Sequence, residues 1–337
     1  MFARYRTVIA VALSSVLAGA PSPGAASTPV PPTAAPEATT APVPTGLRGK
    51  AAPVAFDALG ERFAQPDQTI EYHFMIRVAA LSEADLGSAY QAGVVEPLKA
   101  VADVGALGRC KAGIYVDSKG RGLQQHNVIV RVRDGRITIK ARAASPSALL
   151  DLASCASRKY EMDYFGTPDY SISSEFGFGA DELDIRPPAL TPARLWDLIG
   201  RKCPGVWQQL RPVVRSSGTV EIPGVAHTYG AAATLKHPAA AKVKEAGVAV
   251  WFFPPTDRFL VELSFTGFVK DRADMDRMYA ELGAALRSAG LLRAEQSSKT
   301  EQYFDAYFGP GNTPDSRPLE GSADTVRPGT QRTRKPR

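Results

Sequence analysis

Cysteine and histidine are scarce, at three and four in 337 residues. Neither a Cys-x-x-Cys pair nor a zinc-ribbon Cys/His spacing occurs, so no zinc pattern is legible and the thiols read as structural. A Gly-x-Ser-x-Gly elbow, a Gly-rich phosphate loop and a dinucleotide fingerprint are also missing, which excludes chemistry built on those motifs. Past the N-terminus no apolar run reaches the ~18 residues that span a bilayer, so no transmembrane segment is expected after signal removal. Aromatics make up 8% and do not interleave with basic residues as a stacking platform, so no nucleic-acid partner is expected. Net charge is +6, but five basic groups fall between Arg327 and Arg337, leaving the rest close to balanced.

What is present sorts into four segments. Residues 1–26 read as a signal peptide: Arg4 and Arg6, an apolar and small-residue run over 8–18, then small residues ending in Gly24-Ala25-Ala26. The expectation is an exported protein, periplasmic or secreted. Residues 27–54 form a Pro/Ala/Thr-rich disordered linker, nine prolines falling between Pro21 and Pro53. Residues 55–308 are the folded body, and 309–337 a disordered basic tail. In an oxidising compartment Cys110, Cys155 and Cys203 imply one disulfide and one spare thiol, with all three pairings open. Oligomeric state is not legible.

Within the body, 69–79, 111–117, 124–133, 137–143, 247–253 and 259–268 alternate as strands do. Asp134-Gly135 is a two-residue hairpin signal. Weaker candidates are 159–165, 170–176 and 219–235. Helical spacing marks 82–104, 147–156, 191–210 with a break at Pro204, and 271–292. Side chains two apart on a strand share a face. Arg131 and Arg133 therefore point one way, as do Lys140 and Arg142 on the next strand. Glu71, His73, Met75 and Arg77 share a face, and so do Glu262 and Ser264. A single polar face would simply meet water. Several in one fold suit a closed sheet that turns them inward around a ligand. The pattern predicts a single α+β domain, a mostly antiparallel sheet curved into a tunnel-like barrel or cup with helices outside.

The order of these residues is specific. Tyr115 and Asp117 precede a turn, Arg131 and Arg133 follow, and Thr138 and Lys140 come after a tight hairpin. Glu262 lies on the late strand 259–267, and Lys299 opens the closing segment 297–308. Over about 69–308 the chain resembles the CYTH superfamily, the triphosphate tunnel metalloenzymes. The resemblance implies a tunnel that binds a phosphate-rich anion: tripolyphosphate, polyphosphate or an organic triphosphate. The binding residues it implies are Arg131, Arg133, Lys140, Arg142 and Lys299. Arg215 joins them, because 210–217 resembles a strand on which the family places a further basic residue. Guanidinium forks match phosphate oxygens. The resemblance also implies Mg²⁺ or Mn²⁺, which favour hard oxygen ligands. Glu71, Glu262 and Glu161 would hold the ion, with Asp163 beside them and His73 as a nitrogen donor.

The departures are equally specific. Where the family opens with Glu-x-Glu-x-Lys, this chain has Glu71, His73 and Met75, and its late acidic pair is Glu262 and Ser264. The retained basic face supports an exported metal-dependent phosphohydrolase. The missing acids and lysine support a non-catalytic extracytoplasmic binding module. A structural envelope protein, using the tether and the tail, is a third reading. Cyclase activity is disfavoured by export, since ATP is scarce outside the cytoplasm.

Overall fold

Each alternating stretch contains a strand in a computed structural model of the protein, which describes residues 56–185, 189–294, 296 and 298–310, although in 124–133 the first two residues close a short helix and the strand begins at Val128. The segments expected to be signal peptide and linker, and the expected tail beyond 310, lie outside the described residues. The strands are β1 (Thr69–Ile76), β2 (Ala102–Val104), β3 (Lys111–Ser118), β4 (Val128–Arg133), β5 (Arg136–Ala143) and β6 (Ser157–Tyr164). They continue with β7 (Pro168–Gly177), β8 (Val220–Glu221), β9 (Ala226–Leu235), β10 (Glu245–Phe252) and β11 (Phe259–Phe268). Bonded neighbours run β9-β10-β11-β1-β6-β7-β5-β4-β3, and β3 pairs back onto β9 from Lys111↔Thr228 to Gly113↔Ala226. That last pairing closes a nine-stranded barrel. All pairings are antiparallel except β1 with β6.

Closure separates two surfaces with different chemistry. Tyr72, Phe74 and Ile76 of β1 point outward into the main core. They lie under the helix Arg272–Ser288, and Phe74 stacks on Tyr279 with centroids 4.4 Å apart. The alternate residues Glu71 and His73 point inward. So does Met75, in a second apolar cluster with Tyr115, Trp251, Phe253, Leu260, Tyr303 and Phe304. The main core thus sits between barrel and helices, and the barrel interior is left for polar side chains.

The helices are α1 (Phe56–Phe63), α2 (Leu86–Tyr90), α3 (Glu96–Leu98), α4 (Gly122–Gln125), α5 (Pro192–Lys202), α6 (Pro204–Ser216), α7 (Arg272–Ser288) and α8 (Lys299–Phe308). At the β4–β5 turn Asp134 and Gly135 both adopt positive φ, 51° and 69°, which is what a tight hairpin of this hand needs. Asp117 does not enter the barrel. Its Oδ1 accepts from the N–H groups of Ser118 and Leu123 at 2.7 and 2.8 Å, and Oδ2 from that of Gln124 at 3.0 Å, fixing the first turn of α4. Gly122 is required there because a Cβ would lie 2.4 Å from the Ser217 backbone at the end of α6.

Three expectations are corrected. The 82–104 helix is interrupted: Pro97 cannot donate back to Gly93, a π-turn (Gln91–Val95) takes up the slack, and 102–104 pairs with β9 instead. The 147–156 helix reduces to a 3₁₀ turn (Pro146–Ala148). The chain after it is held extended by Ala153 N–H donating to Gln209 Oε1 at 2.7 Å and by the Cys155–Cys203 disulfide. Residues 210–217 are helical, not a strand, because Val206, Leu210 and Val213 bury one helical face. Cys110 is the spare thiol and is exposed.

α8 starts with a reciprocal cap, in which Ser298 Oγ accepts from Glu301 N–H and Glu301 accepts from Ser298 N–H at 2.7 Å. Ser298→Ala should cost about 1 kcal/mol in urea unfolding. Because α8 carries Lys299, Tyr303 and Phe304 into the interior, the same change should increase hydrogen exchange across this helix. Unchanged protection there would separate the cap from the anchoring.

Candidate functional site

Inside the barrel a cavity of about 290 Å³ is lined by Glu71, His73, Arg131, Arg133, Lys140, Arg142, Glu161, Asp163 and Lys299, among others. The strand order explains the assembly. β4 and β5 bring the four basic residues together, with Arg131 opposite Thr138. The parallel β1–β6 pairing sets Glu71 beside Asp163, and the β1–β11 pairing sets Met75 opposite Glu262. Glu262 is buried behind His73 and bonds to it. Arg215 is elsewhere: it is exposed on the last turn of α6, beside a surface groove formed with Trp207, Arg211 and Pro212.

Cations and carboxylates alternate around the lining. Lys140 Nζ lies 2.7 Å from Glu161 and 3.7 Å from Asp163. Arg142 reaches Asp163 at 2.8 Å and Asp169 at 3.2 Å. Arg131 lies 4.0 Å from Glu175, which also has Lys159 at 3.4 Å, Arg136 at 4.0 Å and Thr138, which donates at 3.0 Å. Lys299 donates to Glu262 at 3.0 Å. Arg133 is the exception, with no carboxylate within 4.0 Å among the described residues. Burial and the Arg131 charge lower its pKa from the usual guanidinium range.

His73 is the hub of the acidic side. Its Nδ1 is 2.5 Å from Glu262 Oε1 and 3.9 Å from Glu71, and its Nε2 is 3.4 Å from Asp163. The ring stacks on Phe165, centroids 4.3 Å apart. Burial alone would depress its pKa, but Glu262, Asp163 and Glu71 outweigh that and push it up to about 9. Burial raises the Glu262 pKa, and Lys299 and His73 overcome it, bringing the carboxyl down to about 2. Asp163 is held well below the usual range by Lys140, His73 and Arg142 against its own desolvation. Lys140, more than any other group, lowers Glu161. Met75 stands where the sequence resemblance implies a lysine, and the lysine that meets Glu262 comes from α8 instead.

Glu71, His73 and Glu262 offer donor atoms within 4.8 Å of one another, and Glu262 Oε2 is buried without a partner. This cluster fits a divalent cation, which would compete with the proton on His73. Sequence reasoning missed Glu175, Asp169, Lys159 and Phe165. Glu175 was findable, since Ser171, Ser173 and Glu175 alternate on the face opposite Ile172 and the Ser174 that donates to the Ala153 carbonyl.

No family model and no curated protein sequence matches the chain. Solved structures similar to it include a putative adenylyl cyclase from Hippeastrum described with a dominant triphosphatase activity (11% identity, TM-score 0.39, covering 68% of this chain and 93% of that one). A putative adenylate cyclase from Bacillus halodurans is also similar (10% identity, TM-score 0.34, 69% and 98%), as is one from Vibrio parahaemolyticus (11%, 0.33, 71% and 98%). At these TM-scores the likenesses carry no weight for chemistry, which rests on the lining itself. By its own strand order, its ring closure and its inward-facing basic and acidic residues, the chain folds as a closed, charge-lined tunnel barrel, the architecture that the resemblance of its sequence to the CYTH superfamily implies.

Proposed function

We propose that the protein is exported and that its tunnel binds a phosphate-rich anion, a tripolyphosphate, polyphosphate or organic triphosphate, and hydrolyses it with a divalent cation. The observation that carries this reading is Arg133. It faces the cavity beside Arg131 with no carboxylate within 4.0 Å among the described residues, whereas the neighbouring cations are matched. An unmatched guanidinium in a partly desolvated site favours an incoming anion. Arg131 and Arg133 bind it, and Lys140 and Arg142, already held by Glu161 and Asp163, fix its position.

Glu71, His73 and Glu262 are the residues that would hold the cation, which supplies charge neutralisation and an oriented water. The nitrogen donor suits Mn²⁺ better than Mg²⁺. Binding without hydrolysis is the second reading. It is favoured by Met75, buried in the apolar cluster where the family has lysine, and by the single buried acid Glu262 on β11.

Incubation of the full chain with tripolyphosphate and Mg²⁺, Mn²⁺ or EDTA, following phosphate release and binding together, decides between them. Release supports hydrolysis, binding without release supports the binding module, and neither refutes both. Arg133→Ala should weaken anion binding by about 1.5–3 kcal/mol, the range for charge-assisted hydrogen bonds. It should leave the fold as stable as before, because it breaks no ion pair. Affinity should also fall as salt rises. A variant that binds like wild type by calorimetry would remove Arg133 from the site.

A further inference from the structure

Three segments distant in sequence meet at the seam where β3 and β9 close the barrel. His227 and Tyr229 share the outward face of β9, the neighbouring Ala226 belonging to the interior cluster. Cys110 immediately precedes Lys111, which pairs with Thr228. Glu83 comes from the segment before α2. A Sγ, a ring nitrogen and a carboxylate oxygen from Cys110, His227 and Glu83 lie within 4.8 Å of one another. His227 Nδ1 is 2.8 Å from Glu83 Oε1, and Tyr229 Oη donates to the same oxygen at 2.8 Å.

We propose that Glu83, Cys110 and His227 are a zinc site, separate from the tunnel cluster. One thiolate, one imidazole and one carboxylate make a borderline-soft donor set. Hard cations such as Mg²⁺ and Ca²⁺ prefer oxygen alone, whereas Zn²⁺ takes all three donor types and leaves its fourth position to water. The side chains of His227 and Glu83 are 35% and 29% exposed, so an ion has a path in. Tyr229 orients Glu83 from behind, as outer-shell partners of zinc ligands do. The other two cysteines are bonded to each other, which leaves Cys110 as the thiol this site can use.

Cobalt(II) substitution tests this with the full chain, disulfide intact and treated with EDTA. A thiolate–cobalt charge-transfer band at one equivalent is expected, displaced by zinc. With Cys155 and Cys203 oxidised, that band reports Cys110 alone. Cys110→Ser should abolish the band. His227→Ala and Glu83→Ala should weaken zinc binding, and Tyr229→Phe should weaken it about 10-fold. His73→Ala, which removes the imidazole of the tunnel cluster, should leave the band intact. The absence of a band at equimolar cobalt would overturn the site. So would zinc binding that survives both Cys110→Ser and His227→Ala, or a band that disappears in His73→Ala.

Discussion

Replacing Glu262 by alanine is expected to lower stability by about 3–5 kcal/mol, the largest loss for a single side chain in the tunnel. Glu262 is 1% exposed, and its Oε1 receives both His73 and Lys299. Without it two cations face each other in a partly desolvated interior, and Glu71 and Asp163 are too few and too distant to replace it. The cost comes from the uncompensated charges that remain. Glu262→Gln combined with Lys299→Met should therefore be more stable than Glu262→Ala, although it removes more polar groups. Urea unfolding at constant m-value reads the difference. If Glu262→Ala leaves the midpoint where it is, His73 and Lys299 are not held by that carboxylate.

Stability should also fall on the alkaline side by on the order of 3 kcal/mol, through His73. Its pKa is about 9 in the folded protein against the ordinary 6.5, so the folded chain binds this proton more tightly than the unfolded one. That contribution is complete below about pH 6.5 and is lost as pH rises through about 9. Glu262 has the opposite sign. Its folded pKa of about 2 lies below the usual 4.5, so its contribution is present above pH 4.5 and lost as pH falls toward 2. Between them they set a plateau from about pH 4.5 to 6.5. Unfolding curves recorded in EDTA from pH 5 to 9.5 should show the alkaline decline in wild type and a flatter profile in His73→Gln. Full stability retained through pH 9 would mean that the imidazole is neutral between its carboxylates.

Both predictions come from one arrangement. A barrel interior holding Arg131, Arg133, Lys140, Arg142 and Lys299 is tolerable because Glu161, Asp163, Glu175 and Glu262 are interleaved with them. The residual imbalance at Arg133 is where an anion gains most. The proton on His73 meets the two carboxylates that a divalent cation would otherwise meet.

Local periodicity carried much of this into the sequence. Alternation along β1, β4 and β5 depends only on strand geometry, so Glu71 with His73, Arg131 with Arg133, and Lys140 with Arg142 could be paired on faces from the sequence alone. The Asp134-Gly135 turn and the helical spacing of Met275, Met278, Leu282 and Leu286 were legible for the same reason. The count of cysteines implied one disulfide, but the choice of Cys155 with Cys203 needed the fold. Arg215 was misplaced because two basic residues near apolar ones fit a strand or a helix equally well over so short a stretch, and the long-range burial of Val206, Leu210 and Val213 chose the helix. Which face of each strand is inside is not a local property. It was decided when β3 paired with β9, a contact between residues far apart in the chain. The charge state of His73 likewise depends on Glu262 and Asp163, delivered by β11 and β6 through strand register. Sequence determined which side chains travel together on each strand; ring closure and register, set by burial across the whole chain, decided which of them meet.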